Sequence, residues 1–249
     1  MSTPSDRIHS EWTGSENGQT VVLIHGSLDR SAGMARLARL LNPRCRVLRY
    51  DRRGYARSWP HTGPFGVNDQ VEDLRSLLGD RRAVLVGHSY GGNVALAASI
   101  AMPVQITGVT VFETPFSWMN WWPSSTAGAA TVDVSPEDAA EAFMKRLVGE
   151  RTWQSLPERT KEARRREGVA LQSELGWLRK NEPWKVEDIS VPLLCGRGTK
   201  GSEHHARAMK WLSEETGGSY VELEGAGHGA PNSHPAEFVD LLIRPHLTS

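Results

Sequence analysis

The chain has 249 residues, and its 29 Lys and Arg residues balance 29 Asp and Glu residues, so the formal net charge is zero. A neutral chain lacks the global basic field that attracts nucleic acid or an anionic membrane surface, and this length suits one large domain. Two cysteines, Cys45 and Cys195, are too few for a disulfide scaffold or a cysteine-rich zinc site, and we expect both to be buried thiols.

The N-terminal segment 1–7 is polar and has no apolar stretch of the kind a secretory signal requires. No run approaches the roughly 18 apolar residues of a membrane span. We therefore predict a cytoplasmic, soluble protein, a monomer or homodimer, that binds neither nucleic acid nor membrane.

Strand and helix patterns alternate through the first half of the chain. Segment 20–25 (TVVLIH) is apolar on both sides of the alternation, which is typical of a buried parallel strand. The other predicted strands are 44–50, 83–86 and 105–112, and the helices between them are 32–41, 68–78 (with Asn68 as N-cap) and 92–102. This order predicts an α/β fold with a mostly parallel central sheet flanked by helices on both faces.

The alternation stops after the fourth of these strands. Residues 114–188 carry only helical patterns: one begins at Ser135, a predicted N-cap, and closes at Gly149, and another spans 158–180. Strand and helix patterns then resume as 191–195, 203–215, 219–223 and 235–245. We predict a core formed by 1–113 and 189–249, with 114–188 inserted as a helical lid.

The segment Gly87-His88-Ser89-Tyr90-Gly91 has the pattern G-x-S-x-G and lies between a predicted strand and a predicted helix. Such a sharp turn exposes the serine Oγ, and glycines two residues to either side allow neighbouring backbone to approach closely. The N–H that follows the serine then lies at a helix N-terminus. Strand, turn and helix together indicate a nucleophilic Ser89.

Four segments in this order resemble the α/β-hydrolase fold family, and they span nearly the whole chain. They are 25–27 (HGS), 51–58 (DRRGYARS, with Ala56 where a glycine is usual), 87–91, and 225–229 (GAGHG). The resemblance implies a Ser-acid-His order along the chain and therefore His228 as the general base. Serine at position 89 argues against the haloalkane dehalogenase and epoxide hydrolase variants, which would call for aspartate there.

The acid departs from the family's common pattern. Many members carry an aspartate shortly after the strand predicted at 191–195, but positions 190–202 contain no carboxylate, and Thr199 stands where it would be expected. Threonine cannot stabilise an imidazolium as a carboxylate does. Some members carry the acid after the preceding strand, which implies Glu113. Glu203 is the alternative, and a chain without a functional acid is the third.

The resemblance also implies an oxyanion hole made of the backbone N–H groups of Tyr90 and Ser27, with Leu28 as the alternative to Ser27. The histidines at 25 and 88 are expected to have structural roles beneath the site, whereas those at 204 and 205 are expected at the surface or behind the site.

Trp118, Trp121 and Trp122 follow Glu113 closely, where the lid begins. They predict an apolar wall for the substrate pocket, and the alternative is that the rings fix the lid to the core.

A metal at 203–205 (EHH) is not expected, since adjacent helical residues point about 100° apart. No metal or cofactor is predicted.

These residues predict a serine hydrolase that cleaves a small carboxylic ester, thioester or lactone with an apolar acyl or aryl group through an acyl-enzyme. The same triad also serves C–C hydrolysis, perhydrolysis and lyase chemistry, because a fold does not choose among reactions. A small-ligand receptor that lost turnover is the alternative outside enzymes, and the missing aspartate is the feature that favours it.

Overall fold

The structure is a computed structural model that describes residues 7–126 and 133–247. Most of the polar N-terminal segment and residues 127–132 of the predicted lid therefore lie outside the described residues. None of the helices in the described ranges combines the length and apolar character needed to cross a membrane.

Seven strands form a single sheet in the order β1-β3-β2-β4-β5-β6-β7, and every pairing is parallel except that of β1 with β3. The predicted α/β class is thus confirmed. The strands are β1 Ser10–Gly14, β2 Gln19–Ile24, β3 Cys45–Tyr50, β4 Ala83–His88, β5 Ile106–Phe112, β6 Leu193–Gly198 and β7 Ser219–Leu223.

The antiparallel edge strand β1 was not predicted, because its sequence SEWTG has no apolar alternation. Inside the sheet, alternate residues of β2 face opposite sides: Val21 and Leu23 join one buried cluster, and Val22 and Ile24 join the other. Burial on both faces is the reason the strand reads as a continuous apolar run.

The helices that flank the sheet are α1 Ala35–Leu41, α2 Val67–Leu78, α3 Tyr90–Ala101, α8 Glu203–Thr216, α9 Ala230–Ser233 and α10 Pro235–Phe238. The N-cap of α2 is Gly66 and not Asn68, since the Asp69 carboxylate accepts the Gly66 N–H at 3.1 Å. The predicted helix 235–245 is short: α10 continues as a π-helical turn Val239–Ile243 and a 3-10 turn Arg244–His246.

Between β5 and β6 the described residues contain four helices, α4 Pro136–Val148, α5 Glu150–Ser155, α6 Glu158–Arg165 and α7 Gly168–Lys180. Ser135 caps α4 as predicted, accepting the Asp138 N–H at 3.1 Å. The segment predicted as one helix over 158–180 forms two helices, which are separated at Arg166 and Glu167. The Glu167 carboxylate is buried at this interruption.

Candidate active site

Ser89 lies in the turn between β4 and α3, with backbone angles of φ 52° and ψ −127°. Its neighbours need to be glycine: a Cβ on Gly91 would lie 2.4 Å from the Ile24 carbonyl oxygen, and one on Gly87 would lie 2.5 Å from that of Gly91. The Ser89 N–H donates to the Phe112 carbonyl at 2.8 Å. The turn therefore places Ser89 at the carboxyl edge of the sheet, in a conformation that non-glycine residues rarely adopt.

Glu113 follows β5 at the same edge, also at a positive φ of 46°, and its side chain is fully buried. Its Oε2 lies 2.7 Å from His228 Nδ1, and its Oε1 accepts the Gly198 N–H at 3.0 Å. Both carboxylate oxygens are thus engaged, which a buried carboxylate requires. The hydrogen bond fixes the His228 ring through Nδ1, and a histidine oriented by a carboxylate in this way can act as a base through Nε2.

Neither Thr199, which stands where the family's aspartate is expected, nor Glu203, the alternative acid, forms a hydrogen bond with the His228 ring. Thr199 accepts the Gly225 N–H at 2.8 Å through its Oγ1, so it fixes the loop that leads to His228. Glu203 is exposed on α8, and within 7–126 and 133–247 its carboxylate forms no ion pair or hydrogen bond.

Two further histidines flank the His228 ring. His88 Nε2 donates to the His228 carbonyl oxygen at 2.8 Å, and the two ring centroids are 4.7 Å apart. His205 stacks on the other side, with centroids 5.2 Å apart and an interplanar angle of 16°. Burial, followed by the nearby His228, lowers the pKa of His88 to about 3 and that of His205 well below its usual range. Both flanking rings are therefore neutral near neutral pH.

The sequence predicted His205 only at the surface or behind the site, since it has no motif of its own, and did not predict its contact with the His228 ring. Its Nδ1 lies 2.9 Å from Ser202 Oγ and 3.7 Å from Glu113 Oε2. The sequence feature that could have predicted the contact is the position of His205 in the first turn of α8. This helix begins shortly after β6, so its first turn lies at the carboxyl edge of the sheet.

Glu113, His205 and His228 offer ligand atoms within 4.8 Å of one another, so they are the described group that could hold a metal ion. A histidine pair with a carboxylate is a donor set that zinc accepts. A metal there would have to compete with the 2.7 Å hydrogen bond between Glu113 and His228. The arrangement therefore suits proton transfer better than ligation.

A buried network links α7 to the loops around Ser89. Ser27 Oγ donates to Glu174 Oε1 at 2.5 Å, Tyr55 donates to the same oxygen at 2.7 Å, and Arg52 Nη1 donates to Oε2 at 2.7 Å. The Arg52 guanidinium also lies 4.8 Å from the centroid of the Tyr90 ring. The side chains of Ser27 and Tyr90 are thus held by α7 and by the loop after β3, while their N–H groups stay predicted oxyanion donors.

His25 has the structural role expected of it. Its Nδ1 donates to the Gly26 carbonyl at 2.8 Å, and its Nε2 accepts the Arg52 N–H at 2.9 Å. Burial lowers the pKa of His25 well below its ordinary range, so the ring is neutral.

Two cavities meet at Ser89 and His228. One, of about 360 Å³, extends beneath the inserted helices and has apolar walls from Pro115, Phe143 and Leu175. The other, of about 430 Å³, lies between the loop after β2 and α4. Ser89 and His228 thus border open space on two sides.

Of the three predicted pocket tryptophans, only Trp122 lines the cavity beneath the inserted helices. The Trp118 ring packs between Phe116 and Trp184, with centroid distances of 5.3 and 5.2 Å. The Trp121 ring lies beneath Arg207, whose guanidinium carbon is 4.4 Å from the ring centroid. Trp121 thus joins the inserted segment to α8 of the core, which was the alternative interpretation of the cluster, whereas Trp118 packs against rings of the inserted segment itself.

Comparison with known proteins places this geometry in a family. Residues 21–241 match the model of the alpha/beta hydrolase family. A lipase, LipV, of Mycobacterium tuberculosis is 32% identical over 145 residues, covering 57% of this chain and 55% of that protein. A proline iminopeptidase of Xylella fastidiosa is 27% identical over 166 residues, covering 59% and 53%. The chain thus spans about half the length of the curated relatives it matches.

Among solved structures, a thermophilic esterase from Thermogutta terrifontis superposes with a TM-score of 0.75 at 21% identity, covering 97% of this chain and 94% of that one. At this identity the likeness concerns the fold. The family match covers nine-tenths of the sequence and includes the Ser89 turn and the His228 loop. The chain belongs to the alpha/beta hydrolase family.

Proposed function

We propose that the protein is a serine hydrolase that cleaves a small carboxylic ester, thioester or lactone with an apolar acyl or aryl group, through a Ser89-His228-Glu113 triad. The observation that carries the proposal is the 2.7 Å hydrogen bond between His228 and the buried Glu113, at a cavity that Ser89 also lines. No other carboxylate in the described ranges reaches His228 within 4.0 Å.

In the proposed reaction His228 Nε2 removes the Ser89 proton, and the resulting alkoxide attacks the carbonyl carbon. Glu113 stabilises the imidazolium that forms and holds the ring in the productive tautomer. The N–H groups of Tyr90 and Ser27 donate to the oxyanion, Tyr90 from the N-terminus of α3. His228 then protonates the leaving alcohol, and water, activated by the same histidine, releases the acyl group.

Two features support an ester as the substrate. Part of the wall of the cavity beside Ser89 is apolar, formed by Pro115, Phe143 and Leu175, which suits an acyl or aryl group. Relatives named as a lipase and an esterase support the same class. The inserted helices cover the site, so we propose that residues 114–188 act as a lid and contribute to substrate selection.

A fluorophosphonate probe and an ester panel varied in acyl length and leaving group test the proposal. We expect stoichiometric labelling of wild type, loss of labelling in Ser89→Ala, and a fall in ester turnover by about 10⁶-fold in that variant. Ser233→Ala, an exposed serine outside the site, is the matched control.

Ester turnover by Ser89→Ala near the wild-type level would exclude Ser89 as the nucleophile. Wild type that takes no label and cleaves no ester, yet binds small apolar ligands, would favour the receptor interpretation instead.

A further inference from the structure

The cavity beside Ser89 that lies beneath the inserted helices carries an uneven charge. Three cationic side chains line it, those of Arg146, Arg179 and Lys200, against one carboxylate, that of Glu113. Glu113 is not available to the cations, because its oxygens already accept hydrogen bonds from Gly198 and His228. The excess positive charge therefore has no counter-ion in the cavity wall.

Arg179 is the cation with the least compensation. It is half-buried near the end of α7, and across 7–126 and 133–247 its side chain has neither a hydrogen bond nor an ion pair. Burial alone lowers the pKa of its guanidinium. The helix C-terminus favours a cation in this turn, but only weakly, and it supplies no partner for the guanidinium donors.

Arg146 and Lys200 enter from two other elements. Arg146 lies on α4, is exposed, and donates through Nη2 to the Ser125 carbonyl, which leaves its other donors free. Lys200 follows β6 and is also exposed, and no carboxylate of the described chain lies within 4.0 Å of its Nζ. Within the inserted segment, the undescribed stretch 127–132 reads AGAATV and contains no acid.

The second cavity at Ser89 provides an internal comparison. Its charged lining residues are Asp29 and Arg164, one of each sign, and Arg164 already lies 3.3 Å from Glu167. The charge excess is thus confined to the cavity beneath the inserted helices. Arg146 and Lys200 are solvated, but Arg179 is half-buried and without a partner, so an anionic ligand group would give its guanidinium the hydrogen bonds that the protein does not supply.

We propose that this cavity binds the anionic end of the substrate, so that the protein prefers esters that carry a carboxylate or a phosphate on an apolar body. Arg179 provides the principal contact, since its planar guanidinium can donate two parallel hydrogen bonds to either oxyanion group. Arg146 and Lys200, which are exposed, add positive electrostatic potential at the entrance of the cavity. The inference rests on the proposed ester hydrolysis and names its substrate class.

The test compares matched pairs that differ in one charge. On the leaving-group side the pair is 4-acetoxybenzoate and 4-acetoxybenzamide, with 4-acetoxyphenyl phosphate as the phosphate counterpart. On the acyl side the pair is the mono-4-nitrophenyl ester of adipic acid and its terminal amide. Each kcat/KM is normalised to the hydroxide-catalysed rate of the same compound, which removes differences in intrinsic reactivity.

We expect the anionic member to be favoured at least tenfold on one of the two sides, and the preference to shrink at high salt. The larger preference, for the carboxylate or for the phosphate compound, shows which of the two groups the substrate carries. Arg179→Met should lower the anionic-to-amide ratio at least fivefold, and Arg179→Lys should restore part of it. Lys210→Gln, an exposed cation on α8 away from the cavity, should leave the ratio at the wild-type value.

Equal kcat/KM for charged and amide members on both sides, with ester turnover intact, would overturn the anion site and leave the ester hydrolase standing. If wild type cleaves no ester, calorimetry with Ser89→Ala decides the question: binding of 4-acetoxybenzoate no tighter than that of 4-acetoxybenzamide would also overturn it. A thermal melt of Arg179→Met separates loss of folding from loss of the anion contact.

Discussion

The Glu113 carboxylate is fully buried and has a hydrogen-bond partner for each oxygen. A buried carboxylate with such fixed partners has one orientation, and that orientation is imposed on the His228 ring. Glu113 and Ser89 both have a positive φ, so two residues of the candidate site adopt a strained backbone conformation. Strain of this kind persists only where the surrounding structure fixes it.

Replacing Glu113 by glutamine should lower kcat/KM for an aryl ester by about 10³- to 10⁴-fold, because the amide cannot stabilise the imidazolium and can hold the wrong tautomer. Initial rates against ester concentration measure the effect. Glu203→Gln, an exposed acid near the site, serves as the matched control and should stay within about twofold of wild type. A large loss in Glu203→Gln alone would assign the acid to that residue.

Gly201 keeps the space in which the Glu113 carboxylate lies. A Cβ at this position would come 2.1 Å from Glu113 Oε1, so Gly201→Ala must push the carboxylate away from its partners. We expect kcat to fall by about 10²-fold, the usual result of a misplacement of roughly 1 Å. Gly176→Ala, where nothing lies within 4 Å of the added methyl, should keep wild-type kcat.

Among the elements, α7 connects the inserted helices to the core through the hydrogen bonds of Glu174, in addition to its apolar face. Glu174 accepts hydrogen bonds from Ser27, Arg52 and Tyr55, which belong to the two loops that surround Ser89. Arg52 and Glu174 are both nearly inaccessible to solvent, with side-chain exposures of 0% and 1%. The position of the inserted segment and the shape of the Ser27 loop are therefore coupled.

Glu174→Gln should destabilise the protein by about 3–5 kcal/mol, because it leaves the Arg52 guanidinium buried without a counter-charge. Urea unfolding followed by tryptophan fluorescence measures the change. The exposed pair Lys210–Glu214 supplies the control: Glu214→Gln should cost less than about 1 kcal/mol. Equal small losses in both variants would mean that Arg52 finds another partner.

Three histidines with lowered pKa values, the buried His25 and the half-buried His88 and His205, link the stability of the protein to pH. Burial lowers the pKa of His25, His88 and His205 below the ordinary value of 6.5. The unfolded chain therefore binds more protons than the folded chain below that value, and the contribution of these groups is complete above pH 6.5 and is lost as the pH falls. Two acids oppose this trend, since burial raises the pKa of Asp29 and raises that of Glu167 to about 7.

Comparison of wild type with His88→Gln isolates one histidine from these opposing groups. Between about pH 7.5 and about pH 5.5 the variant should lose about 1.4 kcal/mol less unfolding free energy than wild type. Glutamine retains a donor for the His228 carbonyl that His88 now serves. Parallel stability curves for the two proteins would show that His88 is protonated in the folded state.

The fold class, the Ser89 turn and the His228 loop could be predicted from the sequence because each depends on local patterning. An apolar strand, a glycine-flanked serine and a helix that begins at the next residue specify one turn without help from distant residues. The break between α6 and α7 and the edge strand β1 could not, since tertiary burial of Glu167 and pairing with β3 override weak local signals.

The sequence by itself determined the parallel sheet, its carboxyl edge as the place of the site, and a short set of candidate acids. Only the tertiary structure decided that the Glu113 carboxylate lies 2.7 Å from His228, that His205 stacks on that ring, and that one tryptophan of three lines the cavity. The physical reason is that local patterns fix where each strand ends. The contacts of Glu113 and His205 with His228 join residues from separate elements, and they depend on how the ends of β5, β6 and the His228 loop pack together.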